Sequence, residues 1–129
     1  DGNLDAATRL SHATVPYRLV DGTQIASDWT GLTTAALSAP IDKDESGNAV
    51  EPTNMGTNCQ DTDYSVVWTN TDEDGTTVWD TYDCSDWTST ANPDIWTAVG
   101  STKELSSWAY GCNNVDACQL FARLFCFEQ

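Results

Sequence analysis

The sequence predicts an α+β domain that is mostly β. Three observations carry that reading. Short strand-like runs are separated by Asp-Gly, Gly and Pro turn signals. Thirteen aromatic residues, six of them tryptophan, stand in for a sparse aliphatic complement. Five cysteines are available to staple a small core. Val, Ile, Leu and Phe together number 22 of 129 residues, a level that with a net charge of −15 would by itself read as disorder. The aromatics, strands and cysteines outweigh it. A chain of this length suits a single domain, residues 1–129, and is long enough to bury a core.

Taken in order, residues 15–26 read as a hairpin, with a two-residue turn at Asp21-Gly22 between two strand-like runs. Asp28 is placed to cap a short helix running to about Ser38, which Pro40 ends. Residues 40–62, with Gly47, Pro52 and Gly56, read as an irregular loop. Residues 64–69 form a strand, residues 70–75 a turn and residues 76–79 a second strand. Residues 80–114 hold Trp87, Trp96 and Trp108 in little regular structure, and long loops of that kind carry function or are pinned by disulfides. Residues 119–127 are apolar on both faces, which predicts a central strand buried on both sides.

Twenty acidic residues against five basic ones repel phosphate backbones and anionic headgroups, so nucleic acid and membrane surfaces are poor partners. No apolar run approaches the ~20 residues of a membrane span. Position 1 is Asp with no leader before it, which reads as a mature or trimmed chain. The acid excess is a solvated surface by default. Two runs nevertheless have calcium-loop spacing: Asn70, Asp72, Asp74 and Gly75 with Asp80 beyond, and Asp42, Asp44, Ser46 and Gly47. Neither has the closing bidentate Glu of a twelve-residue calcium loop, and the plain alternative is that Asp, Asn and Gly make good turns. Catalysis has little to draw on. The single histidine, His12 beside Ser11, is the only base for a nucleophile, and there is no nucleophile elbow or phosphate loop. Paired carboxylates mean little in so acidic a chain. The reading is therefore not an enzyme.

Five cysteines in a small acidic chain indicate an oxidising, extracellular or cell-surface compartment. A zinc site would need Cys59, Cys84, Cys112 and Cys118 without knuckle spacing, so disulfides are the better reading. The odd count leaves at least one thiol unpaired or joined to another chain. The tryptophans are core by default. The functional alternative is that Trp87, Trp96 and Trp108 lie exposed and stack on sugar rings.

A series of short motifs runs along nearly the whole chain: Arg9-Leu10-Ser11-His12, Pro16-Tyr17, Val20-Asp21-Gly22-Thr23 with Ile25-Ala26, Trp29-Thr30-Gly31-Leu32 and Ala39-Pro40-Ile41. Val67-Trp68-Thr69 with Asp74-Gly75-Thr76, Cys84-Ser85-Asp86-Trp87-Thr88-Ser89 and the ending Arg123-Leu124-Phe125-Cys126-Phe127-Glu128-Gln129 continue it. In these motifs, taken in order, the chain resembles an uncharacterised family of bacterial secreted and surface-lipoprotein domains related to the C-type-lectin-like and endostatin-like folds. Asn92-Pro93-Asp94 is similar to the proline-flanked ligands of sugar-binding members, to which Glu104, Asn113, Asn114 and Asp116 would have to converge. The resemblance implies a C-type-lectin-like fold with long disulfide-pinned loops. It also implies bridges Cys84–Cys118 and Cys59–Cys112, and an N-terminal helix segment, lying before the position of Asp1, whose cysteine would pair with Cys126. The domain is thus expected to be N-terminally incomplete, with Cys126 unpaired or intermolecular.

The expectation is a non-catalytic extracellular binding or adhesion module of a bacterial surface or secreted protein. Ca2+ would stabilise its loops, and a glycan or surface protein would be its ligand. The alternative is a self-assembling structural subunit of an extracellular filament.

Overall fold

The computed structural model describes residues 5–34, 36–51, 65–79, 83–88, 90, 96–111, 115–119 and 122–127. Within them the architecture is α+β: three single-turn or two-turn helices and two small antiparallel sheets. The side chain of Asp5 caps α1 (Ala6–Arg9), accepting from the Thr8 N–H at 2.7 Å, and two alanines then favour the helical turn. β1 (Tyr17–Arg18) and β2 (Gln24–Ala26) pair as the expected hairpin. Its connection is wider than the two-residue turn predicted. Gly22 N–H donates to Leu19 O and Leu19 N–H to Thr23 O, enclosing a three-residue loop in which Gly22 takes φ +89°.

Asp28 caps α2 (Trp29–Thr34), accepting from Gly31 N–H at 2.7 Å, as the sequence suggests. The helix stops at Thr34 rather than near Ser38. Thr33 and Thr34 turn their hydroxyls back onto the carbonyls of Trp29 and Thr30, the local competition that makes threonine a poor helix continuer.

The second sheet runs β3 (Val66–Trp68), β4 (Trp96–Ser101), β5 (Val115–Ala117), with β4 in the middle. Val66 pairs with Ser101 and Ala98 with Val115. This corrects the sequence reading twice. Residues 80–114 contain the central strand, whose Thr97, Ala98, Val99 and Ser101 are all buried. Small and weakly patterned residues hid it, because packing from both sides, not amphipathic alternation, defines such a strand. Among the described part of residues 119–127, by contrast, one parallel bridge joins Arg123 to Val67 at the outer side of β3. Leu124 is 70% exposed and Cys126 is exposed, while Phe125 and Phe127 turn inward. The apolar composition of the ending conceals a one-sided alternation.

The predicted second strand at 76–79 is a single bridge, Thr71 to Thr77. Residues 42–50 are more ordered than the loop predicted for them: Lys43 bridges Ala49, and Val50 N–H donates to Asp42 O. α3 (Cys84–Trp87), also unforeseen, is a left-handed turn, with φ between +55° and +61° at all four residues. Left-handed backbone costs a non-glycine residue about 1–2 kcal/mol. Asp83 caps the turn through Asp86 N–H, and the Cys84–Cys118 disulfide ties it to the residues after β5. Ile25, Ala26, Leu32, Leu37, Trp108 and Ala109 form the core, with Phe125 and Phe127 packed against it. No helix among the described residues is long and apolar enough to cross a membrane.

Candidate functional site

Both stretches with calcium-loop spacing are glycine-closed turns of one design. At 44–48, Gly47 N–H donates to Asp44 O and Asp44 N–H to Asn48 O; at 72–76, Gly75 N–H donates to Asp72 O and Asp72 N–H to Thr76 O. Their carboxylates serve the turns themselves. Asp44 Oδ1 accepts from the N–H groups of Ser46 and Asn48, and Oδ2 accepts from Asn48 Nδ2. Asp74 Oδ1 accepts from Thr76 N–H and Oγ1. These donors hold both carboxyls below the ordinary carboxylate range, the backbone and side chain of Asn48 acting most on Asp44 and the Thr76 hydroxyl on Asp74. Asn70 donates to Trp79 O, and its buried Oδ1 has no partner among the described residues. Asp42 is half-buried, and Asp80 lies outside the described residues. No group of three or more His, Cys, Asp or Glu side chains able to hold a metal occurs among the described residues.

A different site emerges where the 72–76 turn docks. Gly75 O accepts from Ala7 N–H, seating α1 on the turn. A Cβ at Gly75 would lie 3.2 Å from Ala7 and 3.3 Å from the Trp29 indole, so a larger residue would need these neighbours to give by a few tenths of an ångström, on top of the positive φ of +86°. Beside this junction is a cavity of about 240 Å3, walled by Trp29, Trp68, Trp108, Phe125 and Phe127. Trp29 comes from α2 and stacks on His12 at 4.3 Å. Trp68 ends β3. Trp108 meets Phe125 and Phe127 edge to face, at 5.5 and 6.1 Å. Asp72 and Glu73 supply the acidic part of the lining, and Thr33, Thr69 and Thr71 its hydroxyls. Those hydroxyls donate to the Trp29, Ala109 and Thr69 carbonyls, which leaves their oxygens as acceptors.

Two features of this cavity stand apart from ordinary core. Burial pushes the Glu73 carboxyl up to about 7, reinforced by its hydrogen bond with the Asp72 carboxyl and opposed by backbone N–H groups, including that of Tyr110. And Trp108, only 7% exposed, has an indole N–H with no acceptor among the described residues.

Of the three tryptophans singled out from sequence, Trp87 is 47% exposed on α3. Trp96 lies in β4, its side chain outside the described residues. Trp108 is corrected from exposed loop to core wall, drawn inward by Phe125 and Phe127. The Cys84–Cys118 bridge is present, Cys59 and Cys112 lie outside the described residues, and Cys126 is a free, exposed thiol. His12 Nε2 donates to Ala7 O at 2.7 Å, so its ring is occupied in holding α1. The sequence reading missed Trp29, Trp68 and Glu73. Nothing local links residues 39 positions apart, and Glu73 becomes distinctive only through burial.

No protein-family model matches the chain, and no curated protein or solved structure matches it.

Proposed function

We propose that this chain is a non-catalytic binding module of a secreted or surface-exposed bacterial protein, built on a C-type-lectin-like plan, with a glycan as its ligand. One observation carries the reading: Trp29, Trp68 and Trp108 line one cavity together with Asp72, Glu73 and the three threonines. A sugar ring offers C–H faces to indoles and hydroxyls to carboxylates, the two surfaces found here. At about 240 Å3 the space suits one sugar ring rather than a drug-sized ligand, whose pockets begin near about 300 Å3. The disulfide is in keeping with an oxidising compartment. Tryptophan fluorescence titrated with a panel of monosaccharides tests the reading. Saturable change that Trp68→Leu weakens at least tenfold supports it. A folded protein blind to every sugar, or an unaffected Trp68→Leu variant, removes it. Thermal unfolding in millimolar Ca2+, then EDTA, tests the calcium expectation at Asn70, Asp72, Asp74 and Asp80: a reversible rise supports it, and an unchanged curve removes it.

A second reading, a structural subunit of an extracellular assembly, is favoured by one observation. The exposed Cys126 lines a groove with Val15, Tyr17, Arg18, Ile41 and Phe127, and Val15 is 64% exposed. Dimers on a non-reducing gel that Cys126→Ser abolishes support it, whereas a monomer with a freely alkylated Cys126 opposes it.

A further inference from the structure

The 84–87 turn is the longest run of left-handed backbone among the described residues, and it contains no glycine. Cys84, Ser85, Asp86 and Trp87 have φ of +55°, +56°, +57° and +61°. An L side chain disfavours each of these conformations, so the penalties accumulate along the turn. Its hydrogen bonds do not account for the hand. Asp86 N–H donates to Asp83 Oδ1, Trp87 N–H to Asp83 O and Thr88 N–H to Ser85 O, all of them local. Bonds of that spacing close equally well in a right-handed turn, which carries no such penalty. Side-chain packing accounts for little, because Ser85, Asp86 and Trp87 are exposed. Cys84 alone is buried, at 4% exposure, and it is bonded to Cys118 just after β5. Among the described residues that bridge is the one covalent or hydrogen-bonded tie from 84–87 to a distant part of the chain.

We propose that the Cys84–Cys118 bridge is a redox-sensitive latch that holds residues 84–87 left-handed. A dithiol reductant opens it, and the turn then relaxes toward the right-handed form and re-aims the exposed Trp87 indole. The step is thiol–disulfide exchange. One thiolate of the dithiol attacks a bridge sulfur and forms a mixed disulfide, and its second thiol then closes the reductant's own disulfide. Two electrons pass to the protein, its S–S bond breaks, and the two protons of the dithiol end on Cys84 and Cys118. Strain enters by reciprocity: the bridge holds the turn in its costly form, so the turn makes the bridge easier to reduce. The sheet need not follow, since Asp83 keeps its own backbone bridge to Thr97 in β4. Residues 84–87 do not line the aromatic cavity, and the latch does not depend on what that cavity binds.

The test uses the full chain with Cys126→Ser, which removes the exposed free thiol. This parent, Ser85→Gly/Asp86→Gly and Ser85→Ala/Asp86→Ala are equilibrated with dithiothreitol at graded ratios of reduced to oxidised reagent. Alkylation and mass spectrometry of Cys84 and Cys118 read how much bridge remains. Glycine relieves the left-handed penalty and alanine keeps it. The glycine pair should therefore need a ratio about tenfold higher than the parent, a shift of about 30 mV for a two-electron couple. The alanine pair should need no higher ratio than the parent. A glycine pair no harder to reduce than the alanine pair overturns the coupling. Nuclear magnetic resonance of the parent reads the turn itself. Strong intraresidue amide–Hα contacts, the mark of positive φ, are expected at Ser85 and Asp86 with the bridge closed. They should vanish once it opens, while the Trp87 indole signal, assigned with Trp87→Phe, moves and the β3 and β4 amides hold their shifts. Contacts that are absent from the closed form, or that survive reduction, overturn the latch. Loss of the whole amide spectrum on reduction also overturns it, because the bridge would then be a staple of the fold and not a switch.

Discussion

Three turns in this molecule share one backbone and meet different fates. The loops 19–23, 44–48 and 72–76 close with the same pair of hydrogen bonds, and glycine occupies the same left-handed position in each, at φ +89°, +81° and +86°. Around Gly22 there is no atom within 4 Å of a would-be Cβ, and near Gly47 only a Val20 methyl at 3.5 Å. Gly75 is buried against Ala7 and Trp29. Local chemistry makes each turn, since x-Asp-Gly or x-Ser-Gly needs nothing more distant than its own N–H groups. Packing alone selects which turn becomes part of a site. The lesson is that an acidic turn motif locates a bend, and its function depends on what the rest of the chain lays over it.

The largest expected effect tests that directly. Gly22→Ala should cost about 1–2 kcal/mol, the left-handed penalty alone. Gly75→Ala carries the same penalty and also pushes apart Ala7 and Trp29, for a total of about 2–4 kcal/mol. Urea unfolding of the two variants measures the gap. Equal losses would mean that α1 does not rest on the third turn, and the comparison would collapse.

Legibility from sequence follows the same division between local and distant causes. The first hairpin, the Asp28 cap, β3 and all three turns announce themselves through neighbours within five residues. The Cys84–Cys118 bridge is expected from the resemblance alone, since spacing leaves it as one of ten pairs that five cysteines allow. What stayed hidden is held by distant contacts. β4 is central because β3 and β5 flank it, although Ala98 and Gly100 argue weakly for a strand. Residues 122–127 are an edge segment because Phe125 and Phe127 follow Trp108 inward while Leu124 and Cys126 face out. The cavity joins Trp29, Trp68 and Trp108, which no periodicity links.

The next effect separates the docked turn by charge. A Glu73 carboxyl raised from the ordinary 4.5 to about 7 stays protonated in the folded chain after the unfolded chain has ionised. Below pH 4.5 both forms hold the proton and nothing is lost. Between 4.5 and 7 stability declines, and above 7 the full penalty applies. Glu73→Gln should therefore be neutral at pH 4 and stabilising at pH 8. Because the carboxyl is partly open to water, screening holds that gain to about 1 kcal/mol. Denaturant midpoints at the two pH values read it. A gain of equal size at both would mean that burial does not act on this carboxyl, and the third turn would be electrostatically no different from the first.

The smallest effect asks what the turns keep in common. Asp21 and Asp74 occupy the same place in the first and third loops, and each accepts from the N–H two residues on, at 2.9 and 2.8 Å. Hydrogen bonds from Thr23 and Thr76 hold both carboxyls below the ordinary 3.8. A depressed carboxyl has the opposite sign to Glu73: its stabilisation is complete above 3.8 and is lost as pH falls through the lower folded value. Asp21→Asn and Asp74→Asn should each flatten the acid limb of the melting-temperature profile, leaving stability at pH 7 only slightly reduced. The two profiles should agree within about 1 °C, since the bond that sets each carboxyl lies inside its own turn. If Asp74→Asn changes the acid limb clearly more than Asp21→Asn, docking reaches the cap as well as the glycine. The boundary between what the turn supplies and what packing supplies would then move inward by one residue, from Gly75 to Asp74.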